Sequence, residues 1–150
     1  MTCYPDTSFL CALYRPQSNS QGASRFFGLM KEPLFVSSML LFEFRQSLRL
    51  QAFLHSKDRT KGFSNRESLA VLEALERNLS EGFLRVVPLD LADVMNRAEY
   101  LSSRHTRREG ARGFDTLHVA SALHLGVAEF LTYDLGQKRM ALAESLIVPF

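Results

Sequence analysis

The chain has 150 residues, 46% of them hydrophobic and 23% charged, with a formal charge of only +2. That length suits one domain with a sizeable core, and the near-neutral balance excludes a global basic field for nucleic acid, so any such evidence must be local. No apolar run approaches a bilayer span, the N-terminus lacks the basic and apolar regions of an export signal, and Cys3 and Cys11 read as buried, reduced thiols, which together point to a cytoplasmic protein.

Short apolar runs alternate with amphipathic stretches along the chain. This argues for an α/β fold with a parallel sheet and helices on its faces. Thr2 to Tyr4 reads as a first strand stopped by Pro5, after which Asp6 caps a short helix carrying Phe9, Leu10 and Leu13. Arg15 to Ser24 reads as a polar loop broken by Pro16 and Gly22. Phe26, Phe27, Leu29 and Met30 then suggest a second helix. Leu34 to Val36 is a second strand, and Ser37 or Ser38 caps a long helix running to about Phe53. Lys57 to Gly62 reads as a basic linker. Ser64 and Glu67 have the spacing of a capping box. The helix behind them carries Leu69, Leu72, Leu75 and Leu79 and ends at Gly82.

Leu84 to Val87 is a third strand. Asp90 opens a helix with Leu91, Val94, Met95, Ala98 and Leu101 on one face, which dissolves into the arginine-rich stretch Arg104 to Arg112. Asp115 opens a small-residue helix that Gly126 ends. Glu129 to Thr132 is a fourth strand, Leu135 to about Glu144 a helix, and Leu146 to Val148 a fifth strand. There is no internal repeat, low-complexity tract or domain linker, so a single domain over residues 1–150 is expected.

Four carboxylates stand out by position. Asp6 follows the first strand, Asp115 and Asp134 bracket the late helix and strand, and Glu43 lies inside the long third helix. Acids gathered at strand ends, where open α/β sheets bind ligands, suit hydrolysis of a phosphodiester with a divalent metal. Hard cations such as Mg²⁺ prefer oxygen ligands and keep several waters. Grouped acids repel one another by about 4 kcal/mol per pair at roughly 4 Å and an effective dielectric near 20, a cost that a bound cation offsets. The plainer reading of Asp6, Asp115 and Asp134 is helix capping. Glu43 is harder to dismiss. Helical spacing sets it beside Met39, Leu40, Ser47 and Leu50, a mostly apolar stripe, so it must reach water, pair with an arginine or take up a proton.

The segments Asp6-Thr7-Ser8-Phe9-Leu10, Glu43 in the third helix, Phe114-Asp115-Thr116-Leu117-His118-Val119-Ala120-Ser121-Ala122 and Leu131-Thr132-Tyr133-Asp134 resemble, in order and spacing, a PIN-domain ribonuclease of the VapC type. The resemblance covers essentially the whole chain. It implies a three-layer PIN-like fold with a central parallel sheet of about five strands. It also implies a Mg²⁺ or Mn²⁺ site formed by Asp6, Glu43, Asp115 and Asp134 as catalytic metal ligands. Thr132, and Thr7 beside Asp6, would support that site. The implied activity is that of an endoribonuclease toxin in a type II toxin–antitoxin pair, with metal-activated water attacking an RNA phosphodiester. A homodimer and a small antitoxin partner are implied as well. His118, one turn after Asp115, could stand behind the metal, although a core histidine is the plainer reading.

Arg104, Arg107, Arg108 and Arg112 lead into Asp115, opposed only by Glu109. Arginines beside a metal site could hold the phosphates of a single strand, with Arg45 and Arg49 extending that surface. The plainer reading is a solvated basic loop. Twelve phenylalanines and no tryptophan leave room for an apolar groove as well as a core. Two other functions compete. One is a catalytically silent RNA- or protein-binding module of the same fold. The other is a phosphoacceptor receiver or an aspartate-nucleophile phosphatase. A receiver needs adjacent acids after the first strand, where Asp6 stands alone, and the phosphatase needs an aspartate where Ser8 stands.

Overall fold

Two small parallel sheets, each held by its own helices, are seen in the computed structural model, which describes residues 2–150. They belong to two compact units, one made of the chain up to Phe9 together with Val87–Phe150, the other of Leu10–Val86.

In the first unit, β1 (Cys3–Pro5) pairs in parallel with β4 (Glu129–Leu131), in a register that sets Pro5 against Leu131. One further step brings Asp6 and Thr132 to the same C-terminal edge, where the Asp6 amide donates to the Leu131 carbonyl at 3.0 Å. Three helices belong to this unit: α5 (Leu91–Glu109), α6 (Gly113–Leu125) and α7 (Leu135–Ala143). A fourth, α1 (Thr7–Tyr14), begins here and continues into the second unit. Helix α6 lies against β1, α5 and α7. It buries Thr116, His118, Val119, Ala120, Ser121 and Ala122. Burial around most of a helix's circumference marks a central element, and the small side chains let its neighbours come close. Phe9 stacks on Tyr133 with ring centroids 6.2 Å apart and packs against Phe150. Tyr4, Phe130 and Leu131 complete the strand-side core.

The second unit contains α2 (Ser20–Leu29), β2 (Leu34–Val36), α3 (Ser38–Lys57), α4 (Asn65–Ser80) and β3 (Leu84–Val86). Strands β2 and β3 are parallel, with Leu34 against Leu84. Leu40, Phe44, Leu48 and Leu75 are fully buried, and α3 lies against α4. The capping box expected at Ser64 and Glu67 is present in both directions. Gly62, in the turn before it, has a positive φ of 61°, and a Cβ there would fall 2.1 Å from the Gln51 carbonyl oxygen, so only glycine fits.

Several expectations need correction. Among the described residues the sheet of about five strands is not seen: four short strands form two pairs, and Leu146–Val148 contributes only an isolated bridge between Ile147 and Glu129. Ile147 does bond Ala128 and Phe130, but the pairing stops after those two hydrogen bonds. Arg104, Arg107 and Arg108 are not in a loop, because α5 runs on to Glu109 and ends at Gly110 in the left-handed conformation. Buried His105 explains the extension. Its ring nitrogens lie 3.4 Å from Glu109 and 3.2 Å from Glu144, which anchors the last turn to the end of α7. Two basic residues in that turn also suit the negative end of the helix dipole. Helix α2 starts at Ser20, inside the stretch expected to be loop, because the Ser20 hydroxyl bonds Arg15 and Gln17 and tightens the turn. Cys3 is buried and Cys11 half-buried, and neither is in a disulfide. No helix among the described residues is long and apolar enough to cross a membrane.

Candidate metal centre

The C-terminal edge of the β1–β4 pair is where the acids gather, and it begins with Asp6. Its carboxylate is fully buried. Oδ1 accepts from the Phe9 amide at 2.9 Å, which caps α1. The Ser8 hydroxyl donates to the same carboxylate at 2.7 Å, and the Thr132 hydroxyl donates to Oδ2 at 2.7 Å. Both hydroxyls then accept from the chain that leaves β4: Ser8 from the Tyr133 amide at 2.8 Å, Thr132 from the Asp134 amide at 2.9 Å. Each hydroxyl has one proton and directs it at Asp6, a pattern made for the anion. Burial works the other way and pushes the Asp6 carboxyl up to about 6, against the hydrogen bonds from Thr132, Phe9 and Ser8 and the nearby His118.

Asp134 is the N-cap of α7, its Oδ1 accepting from the Gln137 amide at 2.8 Å. Gly136 makes room for it, since a Cβ there would meet Oδ1 at 3.1 Å. Asp115 caps nothing. The N-cap position of α6 is Arg112, and Asp115 lies within the first turn. Its carboxylate receives the Gln137 side-chain amide at 3.2 Å and the Arg112 Nε at 2.9 Å. The Arg112 guanidinium also reaches Asp134, with Nη2 at 3.9 Å from Oδ2. A single cation thus stands across two carboxylates from two different elements. The helix-capping reading therefore holds for Asp6 and Asp134 and fails for Asp115.

These contacts tie the three aspartates into one network, from Asp6 through Thr132 to Asp134, and through Gln137 and Arg112 to Asp115. A cavity of about 200 Å³ opens beside it, lined by Arg112, Asp115, Asp134 and Gly136 among others. A larger one, about 430 Å³, lies in the second unit between Tyr14, Phe63 and α4. Its only acid, Glu67, is committed to its capping box, so size alone does not mark the site.

Glu43 lies on α3 in the second unit and is half-buried. Thr7, expected to support the acids, has its hydroxyl 3.5 Å from His118 Nε2. Its neighbour Ser8 makes the bonds to Asp6 and was missed in the sequence, as was Gln137. Arg107 and Arg108 are exposed on the last turn of α5. Arg45 pairs with Glu76 at 2.6 Å.

The donor set suits a hard divalent ion, since Mg²⁺ takes one or two carboxylates and retains waters. Among the described residues no three His, Cys, Asp or Glu side chains stand close enough together to hold one ion. Asp115 and Asp134 both lie within ion-pair reach of Arg112. The Arg112 side chain is 77% exposed, and ion pairs of that kind contribute about 0–1 kcal/mol.

The PIN domain family model matches residues 3–142. The chain belongs to the PIN-domain family. No curated protein matches it. Among solved structures, this PIN domain is similar to Mycobacterium tuberculosis VapC20, described as a sarcin-ricin loop cleaving toxin. The TM-score is 0.69 at 19% identity, over 97% of this chain and 97% of that one. It is similar also to FitAcB from Neisseria gonorrhoeae, with a TM-score of 0.67 at 19% identity over 98% and 96% of the two chains. VapBC2 from Rickettsia felis, bound to a DNA fragment from its promoter, gives 0.65 at 15% identity over 99% and 97%. At these identities the likeness is one of fold.

Proposed function

We propose that this PIN domain is a divalent-metal-dependent endoribonuclease, the toxin of a type II toxin–antitoxin pair, and that its two units make up one domain, since a single family match runs through both. The observation that carries the reading is the Arg112 guanidinium standing across Asp115 and Asp134, the position a divalent cation would take. Asp115 and Asp134 would hold Mg²⁺ or Mn²⁺, with Asp6 behind them and Glu43 as the fourth acid. Such an ion supplies charge for the phosphodiester and a water acidic enough to attack it. The chain's own part is to keep Asp6 ionised and fixed, through Ser8, Thr132 and the Phe9 amide. Once released from the carboxylates, Arg112 turns to substrate phosphates, and Arg107 and Arg108 extend that positive surface along α5. Similar structures of the VapBC and FitAB kind support an antitoxin partner for this chain, and a homodimer is part of the same proposal.

The test is incubation of the purified protein with total RNA, with Mg²⁺ or Mn²⁺ and with EDTA. Cleavage that needs the metal and disappears in a folded Asp115→Asn variant supports the reading, and cleavage that persists in that variant removes it. One observation favours a catalytically silent module instead: no three metal-binding side chains cluster among the described residues. A silent module takes up no Mn²⁺ in a calorimetric titration.

A further inference from the structure

Asp134 and Gln137 have the spacing of a capping box, in which the third helical residue bonds the cap amide in return. Only half of that box forms here. The Gln137 amide donates to Asp134 Oδ1 at 2.8 Å. The return bond is missing because the Asp134 amide is already given to Thr132 at 2.9 Å. The Gln137 side chain is therefore released from capping and runs to Asp115, with Nε2 donating to Oδ1 at 3.2 Å. Gln137 is only 4% exposed, and its Oε1 is buried without a hydrogen-bond partner among the described residues.

As packing alone this residue is a poor choice. It makes one long side-chain hydrogen bond and leaves one buried acceptor unsatisfied, an uncommon state in native interiors. Leucine or methionine would fill similar space with neither defect. What the amide supplies and they cannot is a donor fixed to one oxygen of Asp115 and an acceptor left over.

We infer that Gln137 is a positioning residue for the metal centre: its backbone orients Asp134 while its side-chain amide orients Asp115. This rests on the metal reading of the site. Arg112 and Gln137 both hold Asp115, but they differ in burial. Arg112 is on the surface and donates to both oxygens of Asp115, Nε to Oδ2 at 2.9 Å and Nη2 to Oδ1 at 3.5 Å. Gln137 is interior, and its bond to Oδ1 would remain to hold the carboxylate if a cation took the place of Arg112.

The experiment is Mn²⁺ titration by calorimetry of wild type, Gln137→Leu, Gln137→Met and Asp115→Asn, with thermal melts in EDTA. Removing a partner that orients a metal ligand weakens binding by roughly 10- to 100-fold. The expected result is that loss in Gln137→Leu and Gln137→Met, with melting temperatures equal to or above wild type. An unchanged Mn²⁺ Kd in either folded variant overturns the role of Gln137, and so does a lowered melting temperature with unchanged Kd, which would make the residue structural only. If the wild type itself takes up no Mn²⁺, or Asp115→Asn binds as tightly as wild type, the metal reading falls and this inference with it.

Discussion

Replacing Asp6 by asparagine should change the stability of the metal-free protein with pH, from about 1 kcal/mol below wild type near pH 4 to about 2 kcal/mol above it near pH 8. The carboxyl is fully buried and its pKa rises from 3.8 to about 6. A folded-state pKa above the unfolded one means the folded protein holds its proton more tightly. Below about pH 4 the group is protonated in both states and changes nothing. As pH rises from about 4 through 6 the folded protein must ionise a buried group, and stability is lost. The full loss, reached above about pH 7, is roughly two pKa units at 1.36 kcal/mol each, or about 3 kcal/mol. Asparagine keeps an oxygen for the Phe9 amide and carries no charge. Ser8 can still donate to that oxygen, but the asparagine NH2 replaces Oδ2 and the Thr132 hydroxyl loses its acceptor there, a pH-independent cost of about 1 kcal/mol. Urea denaturation of both proteins in EDTA, from about pH 4 to about pH 8, reads the difference. Asparagine should gain on wild type by about 3 kcal/mol across that range, and saturating Mg²⁺ should restore the wild type alone. A stability difference that does not change with pH would refute the burial argument for Asp6.

Three further outcomes follow from the same contacts. Ser8→Ala leaves the Tyr133 amide without its acceptor and removes a donor from Asp6, so it should cost about 1–3 kcal/mol in urea denaturation; a cost near zero would show that Ser8 does not hold the two strand ends together. Gly136→Ala puts a Cβ 3.1 Å from Asp134 Oδ1 and should lower RNA cleavage and Mn²⁺ affinity by about 10-fold with little change in melting, because small shifts of a reacting group are costly; unchanged affinity would contradict a close fit there. Arg107→Glu with Arg108→Glu should weaken RNA binding in fluorescence anisotropy and reduce the slope of log affinity against log salt by about 0.7 for each phosphate that is no longer neutralised, and an unchanged slope would place both side chains away from the substrate.

What the sequence disclosed depended on how local its cause is. The capping box at Ser64 and Glu67, the stop at Gly126 and the caps at Asp90 and Asp134 each involve residues within four positions, and all are present. Asp6, Asp115 and Asp134 stand out in the sequence because a strand end or a helix start brackets each one, and Glu43 because it sits on a mostly apolar helix stripe. The extent of the fifth strand is not legible, because an apolar run such as Leu146–Val148 says nothing about how far its partner continues. The end of α5 is not legible either, because its last turn is polar and the contact that holds it, His105 with Glu144, joins residues 39 apart in the chain. Ser8 stands one residue farther from Asp6 than Thr7 does, and only the direction of the chain leaving β1 decides which hydroxyl meets the carboxylate. Gln137 had a visible signal, the capping-box spacing after Asp134, but nothing in that spacing indicates that its side chain turns to Asp115.

The most direct test of a cation between Asp115 and Asp134 is an anomalous difference map from crystals grown with Mn²⁺. The expected map has a peak between the two carboxylates, with the Arg112 guanidinium displaced from them. An empty map there, with Arg112 still paired to both aspartates, would contradict the metal centre.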